Sequence, residues 1–304
     1  MTGPSVVAVG GGHGLASTLR ALRRYAGEIT AVVSVADDGG SSGRLRDTMP
    51  DLPAPGDVRR CLAALAADGS ALGRALEHRY GAEDPTLAGH AFGNLLLARL
   101  AGELGSFPAA VDEVAAMVGV VGRVLPATVG PVTLEGHRTR RTASTGTETD
   151  APLVGQVAVQ NASGVTRIGL TPADPASPEG VGKAIAGADQ VVLGPGSLFT
   201  SVLAAAIVPA VRKALEATSA RRIYVANLAG QVPETEGFTL ADHLAALAAH
   251  RVPVDVVVAA PGLLGASGPL PDPTVLVVEA AVADDRSRVH HPELLATVLD
   301  QLVG

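Results

Sequence analysis

A chain of 304 residues, 47% of them apolar, suffices for one large α/β domain or two ordinary ones with an ample core. Aromatics make up only 2%, so Ala, Val and Leu must build that core, and a stacking platform for single-stranded nucleic acid or flipped bases is argued against. The formal net charge of −7 supplies no basic face for phosphate backbones, and no nucleic-acid partner is expected.

In chain order, the β-branched run Val6–Val9 predicts a buried parallel strand. It ends in "GGGHG", after which Leu15, Leu19 and Leu22 recur at helical spacing: strand, glycine loop, helix. No charged leader precedes it, and no apolar run approaches the ~20 residues that span a bilayer, so a cytoplasmic protein without membrane insertion is expected. Ile29–Val35 reads as the second strand of a right-handed βαβ unit. The stretch "SVADDGGSSGRLRD", Ser34 to Asp47, then reads as a flexible loop, which a ligand or a packed neighbour must order. Asp57 is expected to cap the next helix, with Val58, Cys61, Leu62 and Leu65 on its inner face. Cys61 is the only cysteine and reads as a small buried hydrophobe in a reducing compartment. "FGNLLLARLAGEL" and "PAAVDEVAAMVG" predict two further helices.

From Arg123 to about Ile168 the chain turns to Val, Thr and Gly, with "PVTLEGHRT" and "VGQVAVQ" reading as short strands. The basic cluster His137–Arg141 reads as an exposed strand or hairpin arm, and Thr142 to Asp150 as a mobile loop. After Gly180 the α/β rhythm returns in "ADQVVLGPGSLFTSVLAAAIV", "RRIYVANLAG", "ADHLAALAAH" and "VDVVVAA". The expectation is a single α/β domain over 1–304, a Rossmann-like, mostly parallel sheet flanked by helices, with a strand-rich insertion at about 123–170.

Two glycine turns carry the candidate site. Gly10, Gly11, Gly12 and Gly14 let the backbone approach an anion at a helix N-terminus, although Leu15 breaks the dinucleotide fingerprint. Gly194 and Gly196 bracket Pro195 in a second such turn, with Ser197 placed to cap the following helix. Two turns at the carboxyl ends of strands face one crevice in an open α/β sheet. Asp37 and Asp38 fit a ribose contact, a hard cation such as Mg²⁺ beside phosphates, or a turn salt-bridged to Arg44 and Arg46. Asn94 and Asn227 are candidates for a base edge or sugar hydroxyls, Asn94 equally for a plain helix cap. His90 and His243 sit in no metal-ligand spacing and read as satisfied polar residues.

"GGGHGLASTLRALR", "VVSVADDGGSSGRLRD", "PAPGDVRRCLAALA", "GHAFGNLLLARL", "VVLGPGSLFTSVL", "NLAGQVPETEGFTLADHL" and "HHPELLATVLDQL" stand in this order across essentially the whole chain. In this it resembles the gluconeogenesis factors of the YvcK/CuvA type, related in fold to CofD-type phospholactate transferases. The resemblance implies a cytoplasmic, often dimeric Rossmann-like protein that binds UDP-sugars, notably UDP-N-acetylglucosamine. It further implies a part in cell shape and wall synthesis on gluconeogenic carbon sources, through a morphogenesis or cell-wall protein partner. The transferase branch implies the alternative, a metal-dependent enzyme with a nucleotide-activated donor. His13 stands where many members have Thr, Gly230–Thr235 departs from their usual Thr-Gln-Pro-Gly-Glu-Thr, and Val289–Pro292 from their Arg-His-Asp-Pro.

Overall fold

The computed structural model describes residues 3–142, 146–149, 151–262, 269–283 and 289–303, with backbone alone for 139–142 and 146–149. The chain opens with β1 (Ser5–Gly10), α1 (Gly12–Leu22), β2 (Glu28–Val33), α2 (Gly40–Thr48), α3 (Gly56–Leu65) and the short α4 (Ala71–Ala75). It continues through α5 (Phe92–Leu104), α6 (Phe107–Val118) and β3 (Arg123–Pro126). An excursion follows: β4 (Thr133–Thr142), β5 (Gly146–Thr149), β6 (Leu153–Val154), α7 (Gln156–Gln160) and β7 (Val165–Thr171). The last part holds α8 (Glu179–Ala186), β8 (Gln190–Leu193), α9 (Leu198–Ala206), α10 (Pro209–Ala217), β9 (Arg221–Val225), α11 (Leu240–Ala249), β10 (Val256–Ala259), β11 (Leu276–Glu279) and α12 (Pro292–Gln301).

Seven of these strands form one sheet in the order β11-β10-β9-β8-β1-β2-β3, and every neighbouring pair is parallel. The chain grows outward from β1 through β2 to β3, then returns to β1's other side and grows outward from β8. The strand order therefore reverses between β1 and β8, where an open α/β sheet leaves a crevice beyond its carboxyl ends. Burial explains the order: all residues of β8 and β10 are buried, and β1 is buried from Val6 onward, as strands covered by helices on both faces require. Val, Leu and Ala make up most of the core. Cys61 is buried among them, and burial raises its thiol pKa well above the ordinary value, so it packs as a hydrophobe. No single described helix is long and apolar enough to cross a membrane.

The excursion is partly strand-rich, as its composition predicts. β4 pairs antiparallel with β5, β6 and β7, which makes the His137–Arg141 segment a hairpin arm. Three expectations are corrected here. Arg123–Pro126 belongs to the main sheet, parallel to β2, so the insertion begins after it. "VGQVAVQ" is not a strand, because Gly155 turns the chain at φ +99° and Gln156–Gln160 is helical. The mobile loop expected over Thr142–Asp150 is corrected as well, because Thr142 ends β4 and Gly146–Thr149 is β5 paired with it, while 143–145 and 150 lie outside the described residues. His250 fastens the insertion to the body: its Nε2 accepts from the Ile168 amide at 2.9 Å, and its Nδ1 faces the Ala246 carbonyl at 2.7 Å.

Candidate functional site

The two glycine turns meet across the reversal point. A Cβ on Gly14 would stand 2.1 Å from the Pro195 carbonyl oxygen, so the first turn lies backbone to backbone against the second. Gly14 is glycine because nothing larger fits. Beyond this contact two adjoining cavities open. One, of ≈ 360 Å³, is lined by Gly11–Gly14, Asp37, Asp57, Arg60, Gly196, Ser197 and three glutamines. The other, of ≈ 560 Å³, continues from it along Asn227–Val232 to Val289 and His290. Both sizes lie in the range of small-molecule sites. A third cavity, under α11, lies away from both turns and is lined mainly by Leu, Val and Pro.

The Ser34–Asp47 stretch is not one flexible loop. From Gly40 it is α2, and a packed neighbour orders it. Ser41 is buried, and its hydroxyl receives the Ala91 amide at 3.3 Å and the Asn94 side-chain amide at 3.0 Å, with His90 Nδ1 at 3.1 Å. Asn94 is accordingly neither a helix cap nor part of the crevice wall. It is 1% exposed inside α5, where Ala91 holds the cap position.

Asp37 and Asp38 part company. Asp37 faces the first cavity and accepts the Gly39 amide at 3.0 Å. Asp38 turns to the insertion, where its Oδ1 accepts the Val157 amide at 2.9 Å and caps α7. A Cβ on Gly155 would come within 2.1 Å of the other Asp38 oxygen. The carboxylate that joins Asp37 is Asp57, the residue expected to cap α3. Pro55 occupies that cap position, and Asp57 lies in the first turn of α3 with its carboxylate against the glycine loop. Burial raises the Asp57 pKa and the Asp37 charge adds to the rise, while Arg60, 2.5 Å away, and the Gly12 amide oppose it. Helical periodicity marks Asp57 only as a break in an apolar face; its meeting with Gly11 is a tertiary event.

The second turn is held from behind. Asn227 spends its amide on Gly196, accepting the Gly196 N–H at 3.0 Å and donating to its carbonyl at 2.8 Å. Ser197 stands at the cap position of α9, yet its side chain makes no capping bond to the helix backbone. Glu234 takes that role, its Oε1 accepting the Phe199 amide at 2.8 Å and the Thr200 amide at 3.0 Å. Gln156, Gln160 and Gln231 complete the wall and were not visible as site residues, two of them lying in the segment read as a strand. His13 lines both cavities; burial, then the Arg60 charge, lowers its pKa.

Fold and crevice define a doubly wound α/β protein with paired glycine turns at its switch point. The family model for 2-phospho-L-lactate transferase CofD matches residues 6–288. A "Putative gluconeogenesis factor" of Mycobacterium tuberculosis is 48% identical over 253 residues, covering 81% of this chain and 72% of that protein. A "Gluconeogenesis factor" of Halalkalibacterium halodurans is 41% identical over 246 residues, covering 81% and 73%. A crystal structure of a UPF0052 family member from Bacillus halodurans superposes with a TM-score of 0.86 at 32% identity, over 98% of this chain and 99% of that one. The chain belongs to the CofD-like family, among its gluconeogenesis factors.

Proposed function

We propose that this protein is a regulator that binds a nucleotide sugar of the UDP-N-acetylglucosamine type. The observation that carries the reading is the backbone contact of the two glycine turns at the switch point, with a polar cavity running into a larger one. The diphosphate lies at Gly11, Gly12 and Gly14 beside the start of α1, where amides and helix dipole favour an anion. The sugar and nucleoside extend along Ser197, Gln231 and the second cavity, whose amides offer both donors and acceptors. On this reading Gly10, Gly194, Gly196 and Asn227 shape the site, and Asp37 contacts a hydroxyl or a cation.

The cation implied by the transferase branch fits this chain at Asp37 and Asp57. These two carboxylates share a cavity, and the Asp37 charge raises the cost of ionising the buried Asp57, which a divalent ion relieves. Among the described residues no cluster of three or more His, Cys, Asp or Glu side chains forms a cage. Two carboxylates with the remaining positions left to water and phosphate suit Mg²⁺. When bound, such an ion neutralises phosphate charge. Calorimetry with UDP-N-acetylglucosamine, with Mg²⁺ and with chelator, tests both parts: binding that weakens under chelator is expected. Absence of heat and of a thermal shift at millimolar ligand would sink the reading.

The Asp37–Asp57 pair and the family match also favour a second reading, a metal-dependent transferase of phosphorus-containing groups. Turnover of a nucleotide-activated donor decides it; ligand binding without any metal-dependent product leaves the regulator. A homodimer, and a cell-wall or morphogenesis protein as partner, complete the proposal. Light scattering and pull-down with and without the sugar nucleotide test them.

A further inference from the structure

We infer that Glu234 is an internal anion seated in the N-terminus of α9, which closes the second glycine turn to phosphate and confines the ligand's anionic group to the first. The consequence for the ligand rests on the crevice reading above; the seal itself does not. The nine residues Leu198–Ala206 form a continuous helix whose N-terminal amides would otherwise attract an anion. Glu234 supplies one from within. It is 1% exposed, and its Oε1 takes the Phe199 and Thr200 amides at 2.8 and 3.0 Å. Its Oε2 is buried with no hydrogen-bond partner. Burial raises the Glu234 pKa, while Ser197 and the helix amides favour the charged form.

Several neighbouring amides are also engaged. Gly194 donates to the Val9 carbonyl, Gly196 to Asn227, and Ser201 and Val202 to the Ser197 carbonyl. The first turn also meets a buried carboxylate, Asp57 against the Gly12 amide, but Arg60 pairs with it, and no hydrogen bond among the described residues engages the amides of His13 and Gly14. A carboxylate buried to 1% exposure is a costly way to cap a helix when a serine already stands at the cap position. What it achieves is discrimination. Two similar turns facing one crevice would accept a diphosphate in either direction, and a fixed carboxylate that Arg60 balances in the first turn but no cation among the described residues balances in the second removes that ambiguity.

The test replaces the internal anion with an external one. Melting of Glu234→Ala is followed against inorganic phosphate, beside wild type and Glu234→Gln, which keeps an uncharged acceptor for the two amides. At phosphate tenfold above its dissociation constant, the Glu234→Ala melting temperature should rise about 3 °C more than wild type's. Glu234→Gln should follow wild type. If Glu234→Ala is unfolded without phosphate, recovery of the fold on adding it is the same result. An alanine variant with wild-type phosphate dependence, or one that phosphate does not restore, overturns the inference. Because the probe is inorganic phosphate, failure of UDP-N-acetylglucosamine to bind would count against the proposed function and leave this result standing.

Discussion

Acidification should weaken this fold through two buried histidines. His243 and His290 are each 6% exposed. His243 Nδ1 lies 2.8 Å from the Tyr224 hydroxyl, and His290 Nε2 lies 3.1 Å from the Ala226 carbonyl. Burial lowers both pKa values from 6.5 to about 4. The unfolded chain therefore takes up protons near 6.5 while the folded chain refuses them until about 4. Over that window the unfolded state binds more protons, and stability falls with pH. A pKa of about 4 in place of 6.5 amounts to about 3 kcal/mol per histidine, most of it lost between about pH 7.5 and about pH 4.5. Asp57 and Glu234 act in the opposite sense, since burial raises their pKa and protonation favours the folded form. The wild-type slope is thus a difference, and single variants isolate each histidine. Urea unfolding of His243→Asn and His290→Asn at the two pH values should show a drop smaller than wild type's by about 2–3 kcal/mol each. Variants that lose as much stability as wild type would refute the reasoning.

Gly14→Ala drives a methyl into the Pro195 carbonyl and should destabilise by about 1–3 kcal/mol in denaturant unfolding. Gly102→Ala, whose Cβ would meet nothing within 4 Å, should be neutral or stabilising by up to about 1 kcal/mol. Asn227→Asp sets a carboxylate oxygen where an amide donates to the Gly196 carbonyl, which should cost about 1–3 kcal/mol in the same assay. Asp38→Asn should lower thermal stability without changing Mg²⁺ dependence of sugar-nucleotide binding, while Asp37→Asn should do the reverse. Equal effects of the two would show that the carboxylates act together.

The body of the fold was legible because most of its sheet strands are buried on both faces. β1, β2, β8, β9 and β10 read as short apolar runs, each set off by glycine or followed by helical spacing. β11 escaped notice, since this edge strand runs from half-buried to exposed along its length. α2 escaped for another reason: its only buried apolar residue is Leu45, so no amphipathic stripe marks it. Polar contacts from Ser41 to the start of α5 hold it instead, and these join positions 41, 91 and 94. Local pattern carries no trace of such pairings.

The same limit governs the crevice, and it concerns charge more than position. Both glycine turns were visible as punctuation between strand and helix, but the carboxylates that serve them come from elsewhere. Asp57 approaches the first turn from α3, and Glu234 reaches the second from a loop beyond β9. Adjacency in sequence pointed to Asp37 with Asp38, whereas the chain directs these two to different cavities. The result is a proposed anion site whose first cavity presents Asp37 and Asp57 against Arg60, itself paired with Asp57. Helix amides alone, worth about 0.3–1 kcal/mol toward an anion, do not offset two carboxylates facing a diphosphate. A divalent ion between Asp37 and Asp57 reverses that balance, so the nucleotide-sugar reading and the cation reading stand together. Tight binding of a sugar diphosphate in the complete absence of divalent ions would separate them, and would require the crevice charges to be arranged otherwise than described.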